Sequence, residues 1–188
     1  MLFRSAALAE HCFGALQGAR TGAYITVGTG IGAGLIAHGA VVHGMLHPEV
    51  GHIRVLRTPA DGAAFIGCCP YHGDCLEGLA AGPAIERRWG ASLSKLPADH
   101  EAHALIADYL GQLCATLALT LSTHRIVIGG GVSHTPDFHA AIAVQMLHWL
   151  GGYLPDMAGL ADTLVVAPVL GDQAGLMGAI LMAERACR

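Results

Sequence analysis

The chain has 188 residues, 53% of them hydrophobic and 13% charged, with a formal net charge of −4. That length fits one domain or slightly more. The acidic balance argues against a nucleic-acid-binding surface. The apolar excess favours a well-buried globule, or one that covers a face against another polypeptide. Met1-Leu2-Phe3-Arg4 leads into an alanine-rich stretch with Glu10 and His11, which lacks the core and cleavage site of a secretory signal. The expectation is a cytoplasmic protein, where close Cys/His spacing reads as metal rather than disulfide.

In chain order, the Ala-rich residues 5–17 suit a helix. Tyr24-Ile25-Thr26-Val27 reads as a strand, and Gly28-Thr29-Gly30-Ile31-Gly32-Ala33-Gly34 as a tight turn. A second strand from Leu35 to His38 completes a hairpin. Residues 39–77 look irregular. Pro83 opens a helix to about Gly90, since proline suits the first helical turn. A long helix is predicted from Asp99 to Ser122, with Leu105, Tyr109, Leu113, Leu117 and Leu121 at helical spacing. Its apolar core, Leu110 to Ser122, is too short and too polar at its ends for a bilayer, so a buried helix is the reading and no membrane partner is expected. Arg125-Ile126-Val127-Ile128 is a short strand closed by Gly129-Gly130-Gly131. A helix over 136–150, a strand Thr163-Leu164-Val165-Val166 and a helix from Asp172 to Arg188 follow. Strands alternating with helices argue an α/β fold with a mostly parallel sheet.

The densest chemistry lies in Cys69-Pro70-Tyr71-His72-Gly73-Asp74-Cys75. Cys69, His72 and Cys75 recur at three-residue spacing, and His52 of Glu49-Val50-Gly51-His52 can complete four ligands. Two Cys and two His match a closed, structural Zn²⁺ site. Glu49 and Glu77 flank these positions, and carboxylates accept hydrogen bonds from hydroxyls, so a polyol is the natural ligand. His52 can serve twice, one ring nitrogen on the metal and the other on a hydroxyl. Among the other histidines His47 stands out, because it begins the His47–His52 run. Cys12, Cys114 and Cys187 read as packing thiols, and Cys68 as a bystander.

Gly28, Thr29 and Gly30 form a candidate phosphate cradle, since bare backbone N–H groups can approach an anion. A plain glycine hairpin reads equally well from the same residues. Gly129-Gly130-Gly131-Val132 puts bare backbone at the carboxyl end of a strand, where ligands of open α/β sheets bind. Close strand–helix packing is the other reading.

Together these segments resemble the ROK family of sugar kinases and repressors, in particular its bacterial fructokinase branch. The matching pieces are Val27 to Gly32, His47 to His52, Cys69 to Leu79, Gly82 to Glu86, Ile128 to Val132, and Ala174-Gly175-Leu176 with Gly178-Ala179. The resemblance runs the length of the chain. It implies an actin-like ATPase (ribonuclease H-like) fold, with residues 1–188 corresponding mostly to the larger C-terminal domain and 39–77 to its zinc and sugar loop. It also implies ATP with Mg²⁺, a hexose (fructose foremost) and a homodimer. By position, Glu49, His52 and Glu77 would contact the sugar. Thr29 would face the phosphates, and Pro83 with Gly129, Gly130, Gly131 and Val132 would line the nucleotide site.

One departure stands out. The family's catalytic Asp belongs to a segment like Asp-Val-Asn-Ala-Ala-x-Leu-x-Glu, and alignment on Ala6-Ala7-Leu8-Ala9-Glu10 puts Leu2 at the Asp and Arg4 at the Asn. The first phosphate loop of the family has no counterpart here. The expectation is therefore a fructokinase-type chain with little turnover alone. The alternatives are a non-catalytic sugar- or zinc-binding module, including a fragment of a ROK repressor, or a subunit completed by a second chain.

Overall fold

The computed structural model describes residues 2–58, 61–62 and 64–186. The chain runs α1 (Leu2–Phe13), β1 (Gly22–Val27), β2 (Ile31–Ala37), β3 (Ala40–Val41), α2 (Leu76–Ala80), α3 (Gly82–Trp89) and α4 (Glu101–Leu121). It continues with β4 (Arg125–Gly129), α5 (Phe138–Leu150), α6 (Ala161–Leu164), β5 (Val165–Val166) and α7 (Ala174–Ala186). Cys187 and the last residue of the helix predicted to reach Arg188 lie outside the described residues.

The five strands form one sheet in the order β3-β2-β1-β4-β5. β1 pairs antiparallel with β2 and parallel with β4. The sheet is therefore mixed, not mostly parallel. The turn after β1 is too short for a crossover, and a tight turn returns the chain antiparallel. The parallel pairs arise where helices intervene, α4 before β4 and α5 before β5.

Alternation along the strands feeds two cores. Ala23, Ile25 and Val27 of β1, with Ile126 and Ile128 of β4, face α2, α4 and α5. Tyr24, Ile36 and Val127 point to the opposite face, against Ala6 and Ala7 of α1 and Ala174 of α7. The predicted stripe on α4 is buried at Leu105, Tyr109, Leu113 and Leu117. This helix is long and apolar enough to cross a membrane, but 72% of its most apolar window is buried, as in a core helix.

β2 begins four residues before the predicted Leu35, because Gly32 and Gly34 belong to the strand rather than the turn. α1 lies directly on them. A Cβ at Gly34 would stand 2.6 Å from the Phe3 carbonyl oxygen, and one at Gly32 would stand 2.7 Å from the Phe3 ring. α7 presses on the other side of α1, where the Ser5 hydroxyl donates to the Gly175 carbonyl at 3.0 Å.

Two buried carboxylates hold loops in place. Glu10 is fully buried and accepts from the backbone N–H groups of Ala15 (2.6 Å), Leu170 (2.9 Å) and Val169 (3.3 Å), joining the end of α1 to the approach to α7. Asp61 pairs with Arg57 and Arg88 and ties the loop after β3 to α3. The Arg88 guanidinium also lies 4.6 Å over the Trp89 ring. Burial alone would raise the Asp61 carboxyl pKa, but Arg57, the nearby Tyr109 hydroxyl and Arg88 outweigh it and hold it below the ordinary carboxylate value.

Asp61→Asn should destabilise the fold by about 3 kcal/mol in urea melts, because it strands two arginines against a buried site. A depressed folded pKa means the carboxylate's contribution is complete above the unfolded value of about 3.9. It is lost as pH falls through the lower folded value. The gap between native protein and variant should therefore be constant from pH 5 to 7 and close below about pH 4.

Candidate functional site

The segment from Cys69 to Cys75 closes on itself through reciprocal backbone bonds, Cys69 N–H to the Gly73 carbonyl at 3.1 Å and Gly73 N–H to the Cys69 carbonyl at 2.9 Å. Gly73 sits at φ 67°, a conformation that glycine adopts without strain. Leu76 N–H bonds the Ile53 carbonyl at 3.0 Å, which draws the segment carrying His52 alongside. His52, Cys69, His72 and Cys75 then converge, with one donor atom of each lying within 4.8 Å of all the others.

Cys69 Sγ lies 3.8 Å from His52 Nδ1 and 3.7 Å from His72 Nδ1, and Cys75 Sγ lies 3.5 Å from His52 Nδ1. Zn–S bonds of about 2.3 Å and Zn–N bonds of about 2.0–2.1 Å make tetrahedron edges of roughly 3.3–3.8 Å. These three N···S separations match the edges of a tetrahedral Zn²⁺ shell, and all four donors lie within 4.8 Å of one another. Burial opposes ionisation of the Cys69 thiol, but backbone N–H groups of His72 and Tyr71 outweigh it and lower its pKa. The Cys75 thiol is raised, by burial and by its neighbour Cys69. Cys68 stays outside the set, its N–H on the Gly78 carbonyl at 2.9 Å. Cys114 is wholly buried and burial pushes its thiol up to about 12, as suits a packing residue.

With Nδ1 turned to the thiols, His52 presents Nε2 to Glu77, whose Oε1 is 4.0 Å away. The other Glu77 oxygen accepts the Ile31 N–H at 2.9 Å, so the first turn of α2 is fastened to the start of β2. The gap between Nε2 and Oε1 is wide enough for one hydroxyl to bridge the two atoms. Glu77 and Glu49 line a cleft of about 440 Å³ together with Phe3, Thr29, Gly30 and Gly130. His52 is not in this lining and meets it at Glu77, across the 4.0 Å gap to Nε2.

A second cleft, of about 470 Å³, is lined by Gly82, Pro83, Glu86, Ser92, Ser94 and Val132. Gly28, Thr29 and Gly131 border both clefts. The Gly82 N–H bonds the Gly28 carbonyl at 2.7 Å and fixes the start of α3 against the turn. Gly30 and Gly130 fall on the first cleft rather than the second. Gly129 lines neither, because its α-carbon packs on Tyr24, whose hydroxyl a Cβ there would approach to 2.4 Å. Glu86, Ser92 and Ser94 escaped the sequence reading. Glu86 ends the segment Gly82 to Glu86 but is not among the site residues read from sequence, and Ser92 and Ser94 carry no motif and reach the cleft through the turn that follows α3.

Three further aspartates stand apart from the first cleft. Asp61 is held by two arginines, Asp74 by Arg54, and exposed Asp172 lies 4.0 Å from His134. Among the described residues lining the first cleft, the carboxylates are Glu49 and Glu77. Phe3 reaches the lining, so α1 begins at the cleft's edge. The position aligned with the family's Asp, Leu2, opens this helix, but its side chain lies outside the described residues.

The profile of the ROK family matches residues 3–186. The chain belongs to the ROK family. Over 180 residues it is 46% identical to the fructokinase of Zymomonas mobilis, an alignment covering 95% of this chain and 59% of that protein. The ROK hexokinase of Thermus thermophilus superposes with a TM-score of 0.78 at 31% identity, over 96% of this chain and 63% of the other. The ROK glucokinase of Streptomyces griseus, solved in complex with glucose and AMPPNP, superposes at 0.74 with 28% identity, over 98% and 67%. These neighbours have the actin-like ATPase fold, and this ROK chain shares it. The chain spans about three fifths of the length of curated relatives that it matches along most of its own length, 59% of the Zymomonas mobilis fructokinase and 61% of a Bacillus subtilis relative.

For this ROK protein, elemental analysis should find one zinc per chain, and Cys69→Ser or Cys75→Ser should abolish it. Chelation should lower the melting temperature by roughly 10 °C or more, since the donor set is assembled only in the folded chain and metal binding therefore adds to the folding free energy. Retained zinc in both variants would refute the four-donor assignment.

Proposed function

We propose that the chain is the hexose- and nucleotide-holding portion of an ATP-dependent sugar kinase of fructokinase type, corresponding mostly to the larger domain of such an enzyme, with the loop over 39–77 as its metal and sugar segment. The observation that carries this reading is the pair of clefts that share Gly28, Thr29 and Gly131. Transfer between two ligands needs them held side by side in fixed geometry. One cleft has acid residues suited to hydroxyls, and the other is bounded by bare backbone and the start of a helix.

In this reading Glu49, Glu77 and His52 Nε2 orient the hexose, and Zn²⁺, closed by four protein donors, supplies no chemistry beyond fixing His52. Thr29 and the amides of its turn face the phosphates. Pro83, Gly131 and Val132 flank the nucleotide, and Gly130 sits between it and the sugar. Mg²⁺ accompanying ATP would neutralise phosphate charge. Fructose leads the list of hexoses because the fructokinase of Zymomonas mobilis stands at 46% identity. The same reading extends to a homodimer. A sugar- or zinc-binding module without turnover needs only the first cleft, so the second favours the kinase.

Phosphoryl transfer also needs a group to accept the hydroxyl proton, worth about 10²–10⁴-fold. Leu2 at the position of the family's Asp offers none. The pure chain should therefore bind fructose and Mg-ATP by calorimetry yet release ADP at no more than about a hundredth of an ordinary kinase rate. Glu77→Gln should weaken fructose about tenfold or more, because it replaces an ionised acceptor, while leaving nucleotide affinity within twofold. No hexose binding by the unaltered chain would overturn the proposal, and full fructose-dependent turnover would overturn the claim about Leu2.

A further inference from the structure

Glu49 is the weak point of the first cleft. Its side chain is 51% exposed and belongs to no regular helix or strand. A long acidic side chain in water samples many rotamers, and freezing it costs entropy each time a ligand binds. One contact restrains it. His47 Nε2 lies 2.6 Å from Glu49 Oε1. The His47 side chain is only 10% exposed, and its ring leans on Phe3 of α1, with centroids 5.4 Å apart and planes tilted by 45°. Phe3 is itself set against β2 at Gly32. Pro48 lies between the two residues. It fixes its own φ and disfavours helical backbone at His47, and the turn of the chain at Glu49 (φ −108°, ψ 58°) leaves the two side chains in contact.

We propose that His47 is a positioning residue for the hexose cleft. By donating Nε2–H to one oxygen of Glu49, it holds that carboxylate in the orientation that leaves the second oxygen for a sugar hydroxyl. This rests on reading the cleft as a hexose site. His47 is not among the residues lining the cleft, so it acts through Glu49 rather than on the sugar. The chain of contacts from β2 through Phe3 and His47 to Glu49 also couples the start of α1 to the grip on the sugar. Sequence spacing flags His47 only by its place in His47-Pro48-Glu49; the bond itself is a feature of the fold.

The test is fructose affinity by calorimetry, at one pH and with zinc content checked, for the native chain, His47→Ala and His47→Gln. His47→Ala frees Glu49 and should weaken fructose about tenfold, equivalent to ~1.4 kcal/mol. Its zinc content and melting temperature should stay near native. Glutamine keeps an N–H donor at similar reach, so His47→Gln should return to within about threefold of native. A merely structural role would lower the melting temperature of both variants without this split. Native affinity in His47→Ala overturns the proposal, as does a His47→Gln variant as weak as alanine. If His47→Ala fails to fold, the glutamine variant paired with Glu49→Gln decides. Weakening by Glu49→Gln with an unaffected His47→Gln supports positioning through an N–H donor, and indifference to Glu49→Gln overturns it. A native chain that binds no hexose fails at the first measurement, which marks the functional reading itself, and this inference with it, as wrong.

Discussion

The parallel pairing of β1 with β4 is the constraint on which the rest of the molecule depends. Parallel register aligns the carboxyl ends of the two strands, Thr26 opposite Gly129. Both chains leave the sheet there, one into Gly28-Thr29-Gly30 and the other into Gly130-Gly131. They leave so close together that a Cβ at Gly130 would lie 2.6 Å from the Val27 carbonyl oxygen. Bare backbone at that point is a packing requirement before it is a binding feature. Because both turns emerge from one spot, the two clefts inherit a common floor.

The walls are built differently on either side. On the side of the second cleft α3 starts directly over the turn, held by a backbone bond from the Gly82 N–H to the Gly28 carbonyl. On the acid-lined side the long loop between β3 and α2 has little regular structure to position it. There the four donor residues, the bond from the Ile31 N–H to Glu77 and the arginines on Asp61 take the place of a hydrophobic core. Such polar fixings are directional, and they hold an irregular loop to angles that apolar packing alone would leave loose.

Local signals carried most of the architecture. Helical spacing in α4, the β-branched run of β4 and the Pro83 helix start all announced themselves, and the triple spacing of Cys69, His72 and Cys75 named three donors before any fold was known. The errors came where a distant segment decides local structure. Gly32 and Gly34 look like turn residues and are strand residues, because α1 lies on them. At Gly129 the fold adds a packing requirement that the sequence does not show, the approach of Tyr24 to its α-carbon. The sheet is mixed because a short turn and long helical excursions alternate, and composition alone does not weigh one against the other. Glu10 illustrates the limit: its partners at Val169 and Leu170 lie 159 and 160 residues away, beyond the reach of any motif.

The position of Trp89 has a practical consequence. The chain has two tryptophans. Trp149 is tethered through its indole N–H to Asp108 at 2.8 Å, between α4 and α5 and away from both clefts. Trp89 closes α3, the helix whose Pro83, Ile85 and Glu86 border a cleft, and it lies beneath the Arg88 guanidinium. A ligand that shifts α3 moves Trp89 against the ring of His100, which stands edge-on 6.1 Å away just before α4, while Trp149 keeps its tether to Asp108. The protein thus carries a built-in optical gauge of its own cleft, readable without label or coupled assay.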